Sequence, residues 1–257
     1  MRFSQCLLIS VVIALLPPQR QVAAQDSFEL EVYGHETAKP GEWELEPHFI
    51  FSAKGSTQFD GAVAPTNHQL HLALEATRGL TRNWELAAYG LFARQDGDEP
   101  EYAGWRLRSR FSSPDEWQLP VDLALNLEMS YTRPVFDDHT YAIEITPIVG
   151  RRWGPVRVDL NGALESPLRG PDRGKWEFEP SFRTAVTVSP SLDLTLEYFS
   201  ALGPLEALDP VKRQVHQFYP GVVLHFGDDF SWNAGVGVGL TGSGDRVVAK
   251  TAFELEL

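Results

Sequence analysis

The run at residues 121–131, VDLALNLEMSY, is the stretch that decides the fold class. Its odd-numbered positions hold Val, Leu, Leu, Leu, Met and Tyr, whereas its even-numbered positions hold Asp, Ala, Asn, Glu and Ser. Because successive side chains of a β-strand point to opposite faces, this alternation predicts a strand with one apolar face and one polar or small face. The run is longer than the usual strand of a soluble protein and long enough to cross a bilayer at a tilt.

The same alternation recurs from residue 42 to the end of the chain, in runs separated by Gly, Pro, Asp and Ser. It predicts strands near residues 42–54, 66–78, 83–94, 101–112, 117–132, 139–151, 155–165, 174–188, 192–200, 212–226, 229–241 and 246–257. A soluble sandwich or a lipocalin-like barrel would also alternate and is the competing fold. Strand length, and the need to pair every backbone group in lipid, favour an all-β, transmembrane, antiparallel up-and-down β-barrel of about 12 strands.

The breaks between these runs alternate in length. Short breaks are predicted at residues 79–83, 112–116, 152–155, 189–191 and 227–229, and longer ones at 53–65, 95–100, 133–138, 166–174, 201–210 and 241–245. Transmembrane barrels have short periplasmic turns and longer external loops. We therefore expect both ends of the barrel sequence to lie on the periplasmic side.

The first 24 residues are typical of a secretory signal peptide. Arg2 precedes the apolar stretch at residues 6–16, and the small residues at 22–24 predict cleavage after Ala24. An N-terminal membrane anchor is the alternative, but the apolar stretch is short for a span. The expected organisation is a signal peptide at 1–24, a periplasmic N-terminal segment at 25–41 and an outer-membrane barrel at 42–257. The sequence leaves open whether residues 25–41 plug the lumen or hang free.

Charge and cysteine content narrow the partners. The chain has 22 Lys and Arg against 35 Asp and Glu, and this acidic balance speaks against binding to nucleic acid. Its single cysteine, Cys6, lies in the predicted signal peptide, so the exported chain would have no disulfide or thiolate metal site. The expected partners are the lipid bilayer of the outer membrane, the barrel-assembly machinery and small solutes.

Several short motifs support this interpretation by resemblance. Residues 28–47 (FELEVYGHETAKPGEWELEP), 64–68 (APTNH) and 78–85 (RGLTRNWE), together with 202–204 (LGP) and 209–211 (DPV), resemble an uncharacterised family of bacterial outer-membrane β-barrel proteins. The chain is also loosely similar to transporter-type outer-membrane barrels associated with the breakdown of aromatic compounds. The resemblance implies an envelope barrel and carries over no catalytic or ligand-binding residue. One departure is Leu257, because such barrels often end in an aromatic residue.

The charged residues on the polar faces of the predicted strands are the candidate lumen-lining residues. Arg106, Arg108 and Arg110 share one strand face, and the next predicted strand carries Asp122 and Glu128 on either side of Asn126. If rows of opposite charge face each other across an open lumen, their electric field would select solutes. If the charged side chains instead pair with one another and fill the lumen, they would plug the barrel. The predicted lumen-lining residues are Arg106, Arg108, Arg110, Asp122, Asn126, Glu128, Glu144, Glu177, Glu179 and Arg183.

Prolines interrupt four of the predicted strands. Pro47, Pro147, Pro180 and Pro220 each end a short repeat, and because proline cannot donate to a ladder they predict bulges or local breaks in pairing. The neighbouring carboxylates would then point inward at breaks in the wall, or the prolines would only curve the strands. Gly235, Gly237 and Gly239 share one face of a strand and predict a smooth inner groove or a bend.

Catalytic and metal chemistry is not expected. None of the seven histidines has a serine two residues away, which is the spacing that an outer-membrane phospholipase would use on one strand face. Residues 137–139 (DDH) form either a weak divalent-cation site or an ordinary solvated loop. The sequence thus predicts no enzyme and no cofactor. It favours a passive channel or solute-binding barrel, with a non-conducting structural or adhesion barrel as the alternative and an unusual lipid hydrolase as a third candidate.

Overall fold

The computed structural model describes residues 27–59 and 61–257, so the predicted signal peptide lies outside the described residues. Within these ranges the chain forms one short 3-10 helix, Asp115–Trp117, and twelve strands. The strands are β1 (Trp43–Lys54), β2 (Leu70–Thr81), β3 (Trp84–Arg94), β4 (Glu101–Ser112), β5 (Asp122–Thr132), β6 (Tyr141–Trp153), β7 (Val156–Pro167), β8 (Glu177–Ser189), β9 (Leu192–Ala201), β10 (Val215–His225), β11 (Phe230–Gly239) and β12 (Val247–Glu256). None of the described residues belongs to a helix long and apolar enough to cross a bilayer.

The sheet closes on itself. Each strand pairs antiparallel with its neighbours in sequence, and β1 pairs with β12 through positions such as Phe49 and Thr251. The predicted up-and-down antiparallel barrel is therefore confirmed. The predicted boundaries differ from the observed ones by a few residues, and most at β5, which begins at Asp122 rather than near 117 because Asp115–Trp117 form the 3-10 helix after Pro114.

The apolar face of the strands lies on the outside of the barrel. On β4, Leu107 is 49% exposed, whereas Arg106 and Arg108 on either side of it are buried. The same sorting holds on β5, where Leu127 and Met129 are exposed and Asn126 is fully buried. A soluble sandwich would bury these leucines between two sheets, and the closed barrel does not. An apolar exterior around a closed, fully paired sheet is the arrangement that a bilayer requires.

The two rims of the barrel differ. The short-turn end carries the turns at 82–83, 154–155, 190–191 and 226–229, the connector at 113–121 and both ends of the barrel sequence. The long-loop end carries the connectors at 55–69, 95–100, 133–140, 168–176, 202–214 and 240–246. The predicted alternation of connector length is present, with 113–121 longer than expected.

Prolines break the ladders locally without shifting the register. Across β1 and β12, pairing stops after Leu45 and resumes at His48 in the same register, with Pro47 in the gap. Pro147 and Pro220 lie in equivalent gaps on β6 and β10, and Pro180 lies just before the β8–β9 ladder begins. Of the two predicted outcomes the structure shows breaks, because each proline lacks the N–H that would donate to one neighbour. The register shifts among the described strands lie elsewhere.

Residues 27–41, which we call the inner segment, run through the barrel interior. Phe28, Leu30 and Val32 are buried, and Lys250 on β12 donates through Nζ to the carbonyl of Leu30 at 2.7 Å. Hydrogen bonds and ion pairs also join the segment to β4 and β7, which lie on other sides of the ring. A segment that touches walls all around a closed barrel must lie inside it. Of the two arrangements that the sequence left open, the segment adopts the one inside the lumen.

Candidate functional site

The arginine row of β4 points into the lumen and meets carboxylates there. Arg108 Nη2 lies 2.6 Å from Glu75 Oε1 on β2 and 3.4 Å from Glu85 Oε1 on β3. Arg106 Nη1 lies 2.6 Å from Glu29 Oε2 of the inner segment. All of these side chains are buried, so each charge is stabilised by its partner rather than by bulk water.

The partners of this row differ from those expected. Glu128 on β5 was predicted to face the arginines, and its Oε2 does lie 3.4 Å from Arg106 Nε. Asn126 accepts a hydrogen bond from Arg110 Nε at 2.9 Å. Asp122, however, pairs with Arg157 on β7, because it lies at the short-turn end of β5 beyond the reach of Arg106 and Arg108.

The ring of Tyr33, on the inner segment, contacts two guanidinium groups of the arginine row. The guanidinium carbons of Arg108 and Arg110 lie 4.9 Å and 4.7 Å from the centre of its ring. Its hydroxyl donates to Glu128 Oε1 at 3.4 Å, and Asn161 on β7 bonds both its backbone N–H and its carbonyl. Cation–π contacts of this kind are strengthened where the ring and the cation are out of water. Tyr33 therefore anchors the inner segment between β4 and β7.

A second charged group sits near the short-turn end. Arg157 Nη2 lies 2.7 Å from Asp159 Oδ1, and Arg183 Nη2 lies 3.2 Å from Asp159 Oδ2. Arg157 Nη1 also reaches Glu36 of the inner segment at 3.2 Å. Burial would raise the pKa of Glu36, but its hydrogen bond with His35 and the charge of Arg157 outweigh burial and lower that pKa to about 2. The carboxylate thus stays ionised, and the segment is held electrostatically at both ends.

The remaining predicted residues are partly exposed to the lumen interior. Glu144 accepts a hydrogen bond from the hydroxyl of Thr146, and Glu179 lines a small void that it shares with Glu29 and Arg106. Glu177 lies at the long-loop end of β8, where its backbone bridges to Pro204. These carboxylates do not form one row with the arginines of β4.

Several residues of the lumen were missed by the sequence reasoning. Glu29 and Tyr33 belong to the inner segment, and Glu75, Glu85, Asp159 and Lys250 belong to the strands. The strand residues lie on the polar faces of their strands. The alternation that assigned Arg106 to the lumen would therefore have assigned these residues to it as well. Nothing local in residues 27–41 indicates the path of the inner segment, because that path is set by the space inside the closed barrel.

A cavity of about 580 Å³ opens at the short-turn end, and we call it the vestibule. Its two sides carry opposite charge. The acidic side includes Glu44, Glu46, Glu254 and Glu256 on the adjacent strands β1 and β12, and the basic side includes Arg110, Arg152, Arg157 and Arg183 on β4 and β6–β8. Because β1 and β7 are opposite in the ring, a solute in the vestibule lies between a negative and a positive wall.

The loop at 137–139 lies far from the vestibule, at the long-loop end. Carboxylate and imidazole atoms of its three residues lie within 4.8 Å of one another. His139 Nδ1, however, is 2.6 Å from Glu165 Oε1, and Asp137 Oδ1 accepts the backbone N–H of His139 at 2.7 Å. Burial lowers the pKa of His139, but the hydrogen bond and charge of Glu165 outweigh burial and raise it to about 9. These contacts account for the loop without an ion.

Gly235, Gly237 and Gly239 share the lumen face of β11, but the ring of Tyr219 fills the space where a smooth groove was predicted. A Cβ atom at residue 237 would lie 2.2 Å from ring carbons of Tyr219. Tyr219 is fully buried and packs edge-on against Phe199, 5.3 Å between ring centres, in a cluster with Leu30 and Val32. The glycine face therefore provides the room for an aromatic ring that supports the inner segment.

Solved structures with the same fold are bacterial outer-membrane barrels. The COG4313 outer membrane channel from Pseudomonas putida F1 superposes with a TM-score of 0.62 at 10% identity, over 89% of this chain and 100% of that chain. The KdgM porin gives a TM-score of 0.53 at 7% identity, over 82% and 98% of the two chains. The NanC porin gives 0.52 at 4% identity, over 82% and 97%. No family model matches the sequence, and no curated protein matches it.

At these identities the likeness concerns the fold. The chain is a transmembrane β-barrel of the bacterial outer-membrane type, and its apolar exterior fits that membrane. This is the class that the resemblance of the sequence motifs implied, an uncharacterised outer-membrane barrel loosely similar to transporter-type barrels.

Proposed function

We propose that the protein is a passive outer-membrane channel or solute-binding barrel for a small solute, with a lumen that the inner segment narrows. The observation that carries this proposal is the vestibule, a cavity of about 580 Å³ with acidic and basic walls on opposite sides. Facing charges select permeating solutes by orienting their dipoles and by attracting both signs of charge. A solute that carries an amino group and a carboxylate fits such a field best.

The inner segment supports a gating role in this proposal. It runs through the lumen between the vestibule and the long-loop end, where it borders small voids of about 30 and 50 Å³. Ionic and hydrogen-bonded contacts hold much of it, including the pairs of Glu29 with Arg106 and of Glu36 with Arg157. Charged groups that leave their ion pairs can bind water or ions instead, whereas apolar side chains that leave a close-packed core have no such replacement. The segment is therefore suited to shift when a solute enters.

Conductance in planar bilayers tests the proposal. We expect small, short-lived currents from the wild-type protein and larger, steadier currents from a variant that lacks residues 27–38. As a control for assembly, both proteins must show the heat-modifiable electrophoretic mobility of a closed barrel. Currents at background level from both folded proteins would contradict a channel and would leave the vestibule only as a binding pocket.

The filled lumen favours a second candidate, a non-conducting structural or adhesion barrel that acts through its long loops. Thiol chemistry separates the two, since the only cysteine, Cys6, lies in the predicted signal peptide. Tyr33→Cys with Asn161→Cys allows a short bifunctional reagent to fix the inner segment to β7, where the two residues already contact each other. A channel gated by the segment loses its current on crosslinking, whereas an adhesion barrel keeps its cell-binding behaviour.

A further inference from the structure

Two carboxylates and an imidazole meet inside the barrel where the inner segment passes β1. The carboxylates belong to Glu31 on the segment and to Glu46 on β1, and the imidazole belongs to His48, also on β1. One donor atom from each lies within 4.8 Å of the others, and His48 Nε2 is 3.6 Å from Glu46 Oε1. His48 is only 4% exposed, so the imidazole is held inside the wall rather than in solvent.

The charges around this cluster do not balance. Glu29 and Glu75 also lie close to His48, and Glu75 Oε2 is 3.4 Å from His48 Nε2. Each of these two carboxylates has an arginine at 2.6 Å, however. Glu31 and Glu46 have no arginine or lysine partner among the described residues. Two carboxyl groups therefore face one imidazole without an arginine or lysine in contact with them, and a divalent cation would bind both in their ionised form.

The cluster also adjoins space of the right size. A cavity of about 20 Å³ is lined by Glu31, Glu46 and His48, together with Asn233 on β11. A volume of about 10 to 15 Å³ is enough for one water-sized particle. Lys250 borders the same cavity, but its ammonium is held by Glu197 and by the carbonyl of Leu30. The lysine thus leaves the carboxylates free for another cation.

Chain geometry explains why β1 offers these two ligands together. Glu46 and His48 are two residues apart, so they project from the same face of the strand. Pro47 lies between them, and the ladder to β12 is interrupted there. Glu46, which directly precedes Pro47, thus places a carboxylate at a break in the ladder, next to a histidine.

We propose that Glu31, Glu46 and His48 bind one divalent first-row metal ion of the Zn²⁺ type, which ties the inner segment to the barrel wall. An imidazole ligand favours such an ion over Ca²⁺ or Mg²⁺, which prefer oxygen ligands alone. Tetrahedral zinc sites have metal–ligand distances of about 2.0 to 2.2 Å, which place ligand atoms about 3.3 to 3.6 Å apart. Donor atoms that lie within 4.8 Å of one another therefore need to approach by at most about 1.5 Å. The proposal rests on the position of the inner segment and does not depend on conduction.

Calorimetric titration of Zn²⁺ into untagged, chelator-treated protein in detergent tests the site. We expect one saturable site in the wild type, weakened at least about tenfold by Glu46→Gln or His48→Gln, since even outer-shell changes cost that much at metal sites. Glu44→Gln is the matched control, because Glu44 lies on the same face of β1 outside the cluster. His139→Gln removes the loop cluster and should leave the titration unchanged. Absence of a saturable site in the wild type, or wild-type affinity in His48→Gln, overturns the proposal.

Protection of the inner segment gives a second readout. Zn²⁺, but not Ca²⁺, should slow hydrogen exchange of residues 27–38 in the wild type and not in Glu31→Gln. Because Glu31 is not part of the barrel wall, this variant keeps the fold, and heat-modifiable mobility verifies it. If Glu31→Gln binds Zn²⁺ as the wild type does, the ion does not reach the segment and the proposed tie is wrong.

Discussion

The two halves of the lumen are built by the same strands and differ in how they are filled. In the half toward the long loops, which we call the packed half, Phe28, Leu30 and Val32 of the inner segment meet the wall and leave small voids. In the half toward the short turns, the vestibule remains open with charged walls. Alternation assigns a side chain to the lumen in both halves, but only the path of the inner segment decides whether the lumen is full there.

The largest expected effect is in the packed half. Arg106→Gln removes the nearest cation of Glu29 and leaves this buried carboxylate with only Arg108, at 3.6 Å. Breaking a buried ion pair costs up to about 3 to 5 kcal/mol. Arg152→Gln in the exposed wall of the vestibule is the control and should change stability little. Unfolding by guanidinium in lipid vesicles, followed by tryptophan fluorescence, measures both. Equal losses in the two variants would contradict the distinction between the halves.

A clash in the packed half should have a smaller effect. Gly237→Ala places a methyl group against the ring of Tyr219, and overpacking of this kind costs about 1 to 3 kcal/mol. The matched control is Gly235→Ala, because a Cβ atom there would lie 3.4 Å or more from its neighbours. The same unfolding assay compares the two alanines. A stable Gly237→Ala variant would mean that Tyr219 can leave the lumen interior without cost.

The long-loop rim should lose stability in alkaline solution. The pKa of His139 is raised from 6.5 to about 9, so the stability gained from its bond with Glu165 is fully present below about pH 6.5. That contribution is lost as the pH rises through about 9. His139→Gln should thus cost about 1.5 kcal/mol at pH 6 and nearly nothing at pH 10. A cost that is the same at both pH values would show that the pair is not ionic.

The smallest effect belongs to the rim of the vestibule. Lys39 Nζ pairs with Glu256 at 3.1 Å and with Glu42 at 3.2 Å, but the ammonium is exposed to solvent. Exposed ion pairs contribute little because water and salt screen them. Lys39→Gln should leave the unfolding midpoint unchanged, and the change should stay negligible when salt is raised. A clear decrease in the unfolding midpoint would mean that the ion pairs of Lys39 at the junction with β1 stabilise the inner segment.

Sequence reasoning reached the barrel because alternation and strand length are local properties. The run at 121–131 became β5 with a shift of one residue, and the polar parity of β4 correctly placed Arg106, Arg108 and Arg110 on the buried side. The start of β5 was misplaced because Pro114 and the 3-10 helix replace its first turn. A propensity pattern does not distinguish a short helical turn from the fraying end of a strand.

Partners inside the lumen were harder to predict. Arg106 pairs with Glu29, 77 residues away in sequence, and Tyr33 bonds Asn161, 128 residues away. Such contacts exist only after β1 and β12 have closed the ring and the inner segment has entered it. Asp122 was assigned to the wrong arginine for a simpler reason. Its position along the barrel axis relative to the arginines of β4 depends on strand tilt and register, and the sequence alone gives neither.

The joint between the inner segment and β1 has a consequence for how tightly the lumen can be blocked. At Gly41, with φ of 89°, the chain turns, and its N–H donates to the carbonyl of Gly79. A blocking peptide fixed to the rim in this way occupies its site intramolecularly, at an effective concentration in the millimolar range for a short tether. Individually weak contacts then suffice for near-complete occupancy, and each departure is followed by rapid return. Occlusion is therefore independent of how much protein the membrane holds, and a free copy of the same peptide would compete poorly.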